Sequence, residues 1–324
     1  MSEDIKPEGD PRPPEPEDYS YDIDTALSSV MSVRARIPED AMTANMLGTE
    51  RAGHGVVISE SGLVLTIGYL VTEAESVWLV DANGHSLPGH VTAYDQETGF
   101  GLVQALQNLE VPALPIGRSD DLKKGDPVIF AGQGGRRHSV ASRVILKREF
   151  AGYWEYLLDE AIFTAPAHPN WGGAAVIGPD GSLRGIGSLL VQHVTRSDES
   201  YNANMAVPID LLPPILDDLQ RYGRVNKPAR PWLGMMTTEY EGHLVVAGVV
   251  SDGPAEDAGI EVGDVVLEVD GQSVDDLADM FRRVWSLGDA GIEIPLTIYR
   301  KDSAREYIVE SAARSDRLKR PSLH

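Results

Sequence analysis

The amino-acid sequence predicts a fold dominated by β-strands. Among its 324 residues are 32 glycines and 21 prolines, and aromatic residues make up only 6%. The Val, Ile and Leu residues form many short runs that are separated by turn-forming residues, a pattern typical of strands rather than of long helices. A hydrophobic fraction of 42% with 24% charged residues is enough to bury a core, and the length allows two or three domains.

The formal net charge of −22 argues against nucleic acid and anionic membranes as partners, because the protein's field would repel phosphate groups. No apolar stretch approaches the ~20 residues that span a bilayer. The first twenty residues are acidic and proline-rich and lack the apolar core of a signal peptide, so we expect a cytoplasmic protein. With no cysteine, disulfides and thiolate chemistry are excluded, and no motif indicates a cofactor or a metal site.

The N-terminal two thirds of the chain read as a tail followed by a β-rich domain. Residues 1–22 are predicted to be a disordered acidic tail, because they cannot bury apolar area. The β-rich domain is placed at residues 23–222. It begins with a short helix or turn after Asp24, and its apolar runs predict strands around a Ser-Glu-Ser-Gly turn at 59–62. Further strands are predicted at 76–81, 90–94, 139–147 and 156–164, and an amphipathic helix at 210–222 ends the domain.

A second domain follows a linker. Residues 223–230, with basic residues and prolines, are predicted to be this linker, and residues 231–313 carry a second set of strands. A helix is expected after Ser273-x-x-Asp276, which we interpret as a capping pair, and its apolar face holds Leu277, Phe281 and Val284. The remaining residues, 314–324, are a short basic tail.

The most informative stretch is Thr164-Ala-Pro-Ala-His168-Pro169-Asn170-Trp171-Gly172-Gly173-Ala174. It resembles the nucleophile loop of the trypsin-like serine proteases of the HtrA/Deg family, which reads Gly-Asn-Ser-Gly-Gly. The resemblance implies a trypsin-like double β-barrel for residues 23–222. On this register Trp171 stands at the serine and Pro169 at the first glycine. An indole has no oxygen that could attack a carbonyl group, and proline has no N–H for the oxyanion.

Two more stretches fit the same family and depart from it at the catalytic position. Gly68-Tyr69-Leu70 places Tyr69 where the general-base histidine belongs, and a phenol with a pKa near ~10 is a poor base at neutral pH. Asp95-Gln-Glu-Thr98-Gly99 places Gly99 at the orienting aspartate. We therefore expect a pseudoprotease with no catalytic residue. A relocated pair of Ser139 and His168 is a weaker alternative, and His85 with His90 is better explained by a polar hairpin than by a metal site.

The second domain resembles a PDZ domain of the HtrA subtype. The matching segments are Trp232-Leu233-Gly234-Met235, Ser251-Asp-Gly253-Pro254-Ala255 and Val262-Gly263-Asp264. The resemblance implies that the backbone N–H groups of residues 233–235 bind a C-terminal carboxylate while the peptide adds as a strand. The predicted peptide-binding residues are Trp232, Leu233, Gly234, Met235, Leu277, Phe281 and Val284. The alternative is that the groove is filled by the protein's own chain or by a neighbouring subunit.

These observations lead to one functional expectation and two alternatives. We expect a catalytically inactive HtrA-like protein that serves as a peptide- or protein-binding scaffold or regulatory subunit, with protein C-termini as partners. It could instead be a non-catalytic obligate subunit of a larger enzyme complex, or an endopeptidase with an unconventional site. The family resemblance suggests a homo-oligomer, a trimer.

Overall fold

The computed structural model describes residues 11–194 and 200–320, so the first ten residues of the predicted acidic tail and the last four of the basic tail lie outside the described residues. After a short helix α1 (Ile23–Ser28), six strands close into a first barrel in the order β1-β2-β3-β6-β5-β4. Every residue of the third strand is buried. The strands are β1 Val30–Arg36, β2 Glu50–Val57, β3 Leu63–Ile67, β4 Ser76–Val80, β5 Ser86–Tyr94 and β6 Phe100–Ala105, with the short helix α2 (Ala44–Leu47) between β1 and β2.

Six further strands close a second barrel in the order β10-β11-β12-β9-β8-β7. They are β7 Pro127–Ala131, β8 Ser139–Gly152, β9 Tyr156–Ala165, β10 Ala175–Ile177, β11 Leu183–Val194 and β12 Ser200–Pro208. Strand β8 runs past the predicted end at Lys147, so that β8 and β9 form a long hairpin. The helix predicted at 210–222 is α3 (Pro213–Tyr222), which has proline in its first turn and ends at Gly223 in the left-handed conformation.

The last part of the chain forms a separate sheet in the order β13-β14-β15-β17-β18, with β16 paired to β15. Strand β13 lies at one edge of this sheet, and helix α5 has its apolar face in the domain core, which contains Phe281, Leu296 and Val309. The elements are β13 Met235–Tyr240, β14 His243–Val249, α4 Pro254–Asp257, β15 Val265–Val269, β16 Gln272–Ser273, α5 Leu277–Ser286, β17 Glu293–Arg300 and β18 Ser303–Glu310. The predicted fold class, two trypsin-like barrels and a PDZ domain, is confirmed.

The chain divides into two compact units. The first holds the residues up to Arg148, Glu160–Val225 and the residues from Lys319, and the second holds Glu149–Asp159 and Asn226–Leu318. The segment Glu149–Asp159, the end of the β8–β9 hairpin, is therefore part of the second unit, although the sequence places it inside the barrel domain. We call this segment the hairpin tip.

The described part of the predicted disordered tail is structured. Residues Pro16–Asp18 form a 3₁₀ turn, the Arg12 carbonyl accepts a hydrogen bond from the Ala141 N–H at 2.9 Å, and the rings of Tyr19 and Tyr21 meet edge to face at 5.6 Å. The acidic composition indicated disorder, but two aromatic rings and a backbone hydrogen bond give these residues partners that composition does not reveal.

The cap of helix α5 also differs from the expectation. Asp276, not Ser273, is the N-cap residue, and its side chain accepts a hydrogen bond from the Asp279 N–H at 2.7 Å. Ser273 lies in strand β16. The capping pair is therefore Asp276 and Asp279, which has the predicted spacing but lies three residues further along the chain than the predicted pair.

Replacing the cap should destabilise the second unit. We expect Asp276→Ala to lower the free energy of unfolding by ~1 kcal/mol, because the first turn of the helix loses its side-chain acceptor. Urea denaturation followed by circular dichroism measures this difference. The matched control is Ser273→Ala, which should change stability by less than ~0.5 kcal/mol. A larger loss in the control than in Asp276→Ala would contradict the assignment of the cap.

Candidate functional site

The structure brings together the three stretches that the sequence analysis aligned with a catalytic triad. Tyr69 lies in a 3₁₀ turn, Gly68–Leu70, directly after β3. The Gly68 N–H donates to the Gly99 carbonyl at 2.7 Å, which places Gly99 beside this turn. The phenol of Tyr69 donates to the Ser188 carbonyl at 2.9 Å, and a Cβ atom at Gly172, the neighbour of Trp171, would lie 2.7 Å from the phenol oxygen. Residues that are far apart in sequence thus meet at one site.

The loop that carries Trp171 is fixed by close backbone packing. Gly173 has φ +76°, and a Cβ atom at this position would lie 1.9 Å from the His54 carbonyl oxygen. Only glycine fits both conditions. The His54 N–H donates to the Gly172 carbonyl at 2.8 Å, and the Gly173 N–H donates to the Gly187 carbonyl at 2.8 Å. The loop is therefore held between β2 and β11 independently of the side chain at position 171.

The groups at these positions differ chemically from a serine protease triad. Burial raises the pKa of Tyr69 well above its usual value, so the phenol stays protonated at neutral pH and acts as a donor. Trp171 offers an N–H donor and no nucleophilic atom. Gly99 has no side chain, and Pro169 has no N–H that could bind an oxyanion. The site supplies hydrogen-bond donors and packing surface.

Two histidines beside the loop are more deeply placed than the sequence suggested. Burial, with a smaller effect from His168, lowers the pKa of His54 to about 4, and burial lowers the pKa of His168. The His54 Nδ1 accepts the Gln133 N–H at 3.1 Å, so both rings are neutral at neutral pH. His54 drew no attention in the sequence because it sits in a strand rather than in a motif.

The relocated nucleophile pair is not formed. The Ser139 hydroxyl donates to the Gly135 carbonyl at 3.0 Å, whereas the His168 ring lies 2.9 Å from the His138 carbonyl and accepts the Asn170 N–H at 3.0 Å. His85 pairs with Asp81 at 2.9 Å inside its own hairpin. Within residues 11–194 and 200–320, no three His, Asp or Glu side chains converge as a metal site would require.

A second site lies in the second unit, where three backbone N–H groups converge on one carboxylate. The N–H groups of Leu233, Gly234 and Met235 all donate to the side chain of Glu155, with shortest distances of 3.0, 2.8 and 3.3 Å. Gly234 has φ +74°, which turns the backbone so that consecutive N–H groups point the same way. This is the geometry that the sequence analysis expected for a peptide terminus, occupied here by a residue of the same chain.

The predicted lining residues are all buried. Leu233, Met235, Leu277, Phe281 and Val284 belong to the core of the second unit, and Ala151 and Leu157 of the hairpin tip pack against this core. Trp232 does not bind through its backbone: its N–H and C=O groups both pair with Ala312 at 3.0 Å. Trp232 therefore anchors the loop through its backbone, and its predicted part in peptide binding stays a prediction.

Comparison with known proteins identifies both domains. Residues 53–186 match the family model of the trypsin-like peptidase domain, and residues 231–310 match that of the PDZ domain. The chain thus joins a segment that is similar to trypsin-like peptidase domains to a segment that is similar to PDZ domains. A probable periplasmic DegP-like serine endoprotease of Halomonas elongata is 29% identical over 276 residues, covering 79% of this chain and 55% of the relative. One from Pseudomonas fulva is 28% identical over 266 residues, with 78% and 54% covered. The chain spans about half the length of these curated relatives.

Solved structures agree on the fold. The HtrA-type protease AlgW, solved with a decapeptide, superposes with a TM-score of 0.51 at 22% identity, covering 93% of this chain and 98% of that chain. The serine endoprotease from Yersinia pestis superposes with a TM-score of 0.51 at 23% identity, covering 89% and 95%.

These comparisons correct two expectations from the sequence. The expectation that the chain is not an enzyme is contradicted, because the curated relatives are named serine endoproteases. The expected cytoplasmic location is contradicted as well, because the same relatives are named periplasmic. Among the residues that the structure describes, no helix is long and apolar enough to cross a membrane.

The buried phenol of Tyr69 should contribute measurably to the stability of the protease domain. We expect Tyr69→Phe to lower the free energy of unfolding by ~1–2 kcal/mol, because the Ser188 carbonyl loses its buried hydrogen-bond donor. Thermal and urea unfolding of the full chain provide the measurement. Tyr240→Phe, at an exposed tyrosine of the PDZ domain, serves as the control and should be close to neutral. Equal stability of Tyr69→Phe and the parent protein would refute the described hydrogen bond.

Proposed function

We propose that this protein binds the C-terminal ends of peptides or proteins through its PDZ domain, and that it acts through this binding as a scaffold or regulatory subunit. The observation that carries the proposal is the convergence of the Leu233, Gly234 and Met235 N–H groups on one carboxylate. A terminal carboxylate of a peptide presents the same two oxygens, so the loop is suited to it by its backbone alone.

The surroundings of the loop suggest which peptides fit. Strand β13 is an edge strand that can accept an added strand, and the apolar face of α5 supplies Leu277, Phe281 and Val284 for a hydrophobic last side chain. Acidic residues on the same domain favour ligands with basic residues upstream of the last residue; they are Glu239, Glu241, Asp252, Glu256 and Asp257. The peptide in the AlgW structure is consistent with this use of the fold.

In the protease domain, we propose that Tyr69, Gly99 and Trp171 occupy the positions of the family's histidine, aspartate and serine, with Pro169 at the oxyanion glycine. The meeting of these residues around the loop at Gly172 and Gly173 supports the assignment. The indole, the phenol and the missing carboxylate leave these positions without the nucleophile and base of the usual mechanism.

The names of the curated relatives favour a second candidate, an endopeptidase. Because residues 69, 99 and 171 lack the required groups, this candidate needs a nucleophile elsewhere. Hydrolysis of fluorescent casein by the full chain tests this candidate. If it is correct, Trp171→Ala should still hydrolyse casein, and an inhibitor specific for one class of protease should abolish the hydrolysis. Loss of hydrolysis in Trp171→Ala would contradict a site elsewhere, and no hydrolysis in either protein would remove this candidate.

Peptide binding should depend on the free carboxylate and on the conformation of Gly234. We expect peptides from a C-terminal library to bind the full chain with dissociation constants on the order of micromolar, because a short strand buries little area and must be ordered. Fluorescence polarisation should show at least ~10-fold weaker binding of each C-terminal amide, since the loop then loses a charged acceptor.

The matched pair of variants for this test is Gly234→Ala and Gly242→Ala. Both glycines have positive φ, so both substitutions introduce the same kind of backbone strain. A Cβ at residue 234 would lie 3.2 Å from the Trp232 ring, whereas residue 242 has open space around it. Binding should fall by at least ~10-fold in Gly234→Ala alone. Equal binding of acid and amide peptides would contradict the proposed carboxylate site.

A further inference from the structure

The carboxylate-binding loop of the PDZ domain is occupied by a side chain of the same chain. Glu155 sits in the turn of the hairpin tip, within the second unit. It is only 7% exposed, and both of its carboxylate oxygens accept from the Leu233 N–H, at 3.2 and 3.0 Å. One of them also accepts from Gly234 and Met235. A side-chain carboxylate therefore holds the position that a peptide terminus would take.

The backbone of the hairpin tip lies along the groove in the manner of a bound peptide. The Thr237 N–H of edge strand β13 donates to the Tyr153 carbonyl at 3.1 Å. Tyr153 lies two residues before Glu155, so a main-chain acceptor and the carboxylate contact β13 in the order that an added strand with a terminal carboxylate would give. Ala151 and Leu157 pack against the core of the domain beside this strand.

Charged groups fix the base of the hairpin tip on helix α5. Arg282 forms ion pairs with Glu149 and, at 2.8 Å, with Asp159. Glu149 and Asp159 are the two ends of the segment that groups with the PDZ domain, so one arginine contacts both strands of the hairpin. These exposed pairs contribute little energy individually, but they hold the hairpin in register with the groove.

Two features indicate that this docking is displaceable. Glu155 has φ +58°, a left-handed conformation that strains a residue with a side chain. Burial raises the pKa of Glu155 to about 7, although the three backbone N–H groups and Arg314 act in the opposite direction. The cost of removing the charged carboxylate from water therefore exceeds the stabilisation that its hydrogen bonds and Arg314 supply. This imbalance weakens the net binding of Glu155 to the loop.

We propose that the hairpin tip is an internal ligand of the PDZ domain, with Glu155 standing in for a peptide's terminal carboxylate, so that a peptide binds only by displacing it. This inference rests on the proposed peptide-binding function and adds its regulation. The two occupants compete for the same N–H groups. The apparent dissociation constant of a peptide is therefore its intrinsic dissociation constant divided by the fraction of molecules whose groove is free. Peptide binding and release of the hairpin tip are then one event.

The test uses the full chain and the substitution Glu155→Gln, which keeps the size of the side chain but replaces an acceptor oxygen by an NH₂ group facing N–H donors. The probe is a fluorescein-labelled peptide Lys-Arg-Ser-Ala-Ala-Leu with a free carboxylate, with the same peptide as its C-terminal amide. We expect the variant to bind the acid peptide at least ~10-fold more tightly than the parent protein does. Glu306→Gln, at an exposed position of strand β18, is the matched control and should differ from the parent by less than ~3-fold.

A second measurement reports on the hairpin without any peptide. Hydrogen–deuterium exchange of the backbone amides at residues 233–235 should be slow in the parent protein, where Glu155 accepts from all three, and at least ~10-fold faster in Glu155→Gln. Adding the acid peptide to the parent should increase exchange in residues 149–159, because the hairpin tip is released. Thermal unfolding of both variants shows that they are folded.

The two measurements separate the inference from the proposed function. Faster exchange in Glu155→Gln with tighter peptide binding supports the internal ligand. Equal peptide affinity and equal exchange in the parent and in Glu155→Gln would overturn it, while leaving PDZ binding intact. Faster exchange in Glu155→Gln without binding of any C-terminal peptide would keep Glu155 as the occupant of the loop but refute peptide displacement together with the proposed function.

Discussion

Buried backbone N–H groups need acceptors, and this constraint governs the second unit. The turn at Gly234 directs three consecutive N–H groups to one point, and leaving them unpaired inside a folded domain would be costly. Neighbouring backbone groups of the loop are paired as well: Trp232 pairs with Ala312, and the Leu233 carbonyl accepts from the Ala255 N–H. The long hairpin β8–β9 meets the requirement with Glu155. In this structure the acceptor of all three N–H groups is Glu155.

The protease domain shows how a loop can keep its shape while its side chains change. The path through Gly172 and Gly173 is set by close approach to the His54 backbone and by hydrogen bonds to neighbouring strands. None of these contacts involves the side chain at position 171. The conformation of the loop therefore does not depend on the side chain at position 171.

Much of the architecture follows from the sequence. Several strands of both barrels and the helix that carries Leu277, Phe281 and Val284 were predicted from local apolar patterns and turn residues, which are properties of neighbouring positions. The double barrel and the edge strand after Trp232 were implied by the family resemblance. The alignment of residues 69, 99 and 171 also came from local motifs, and the structure brings those residues together. The cap of α5 was placed three residues too early because Ser273 and Asp276 are both good capping residues, and only the start of strand β16 decides between them.

The sequence by itself determined, through the resemblance of Trp232-Leu233-Gly234-Met235 to a PDZ domain, that three backbone N–H groups are expected to bind a carboxylate. It also left open whether the protein's own chain fills the groove. Only the tertiary structure decided that Glu155 does so. Residues 155 and 234 are far apart in sequence, and the local sequence Tyr153-Trp154-Glu155 does not indicate that Glu155 binds this loop. The extension of β8 beyond Lys147 and the left-handed turn at Glu155 deliver the carboxylate to the loop, and both depend on contacts between distant segments rather than on local propensity.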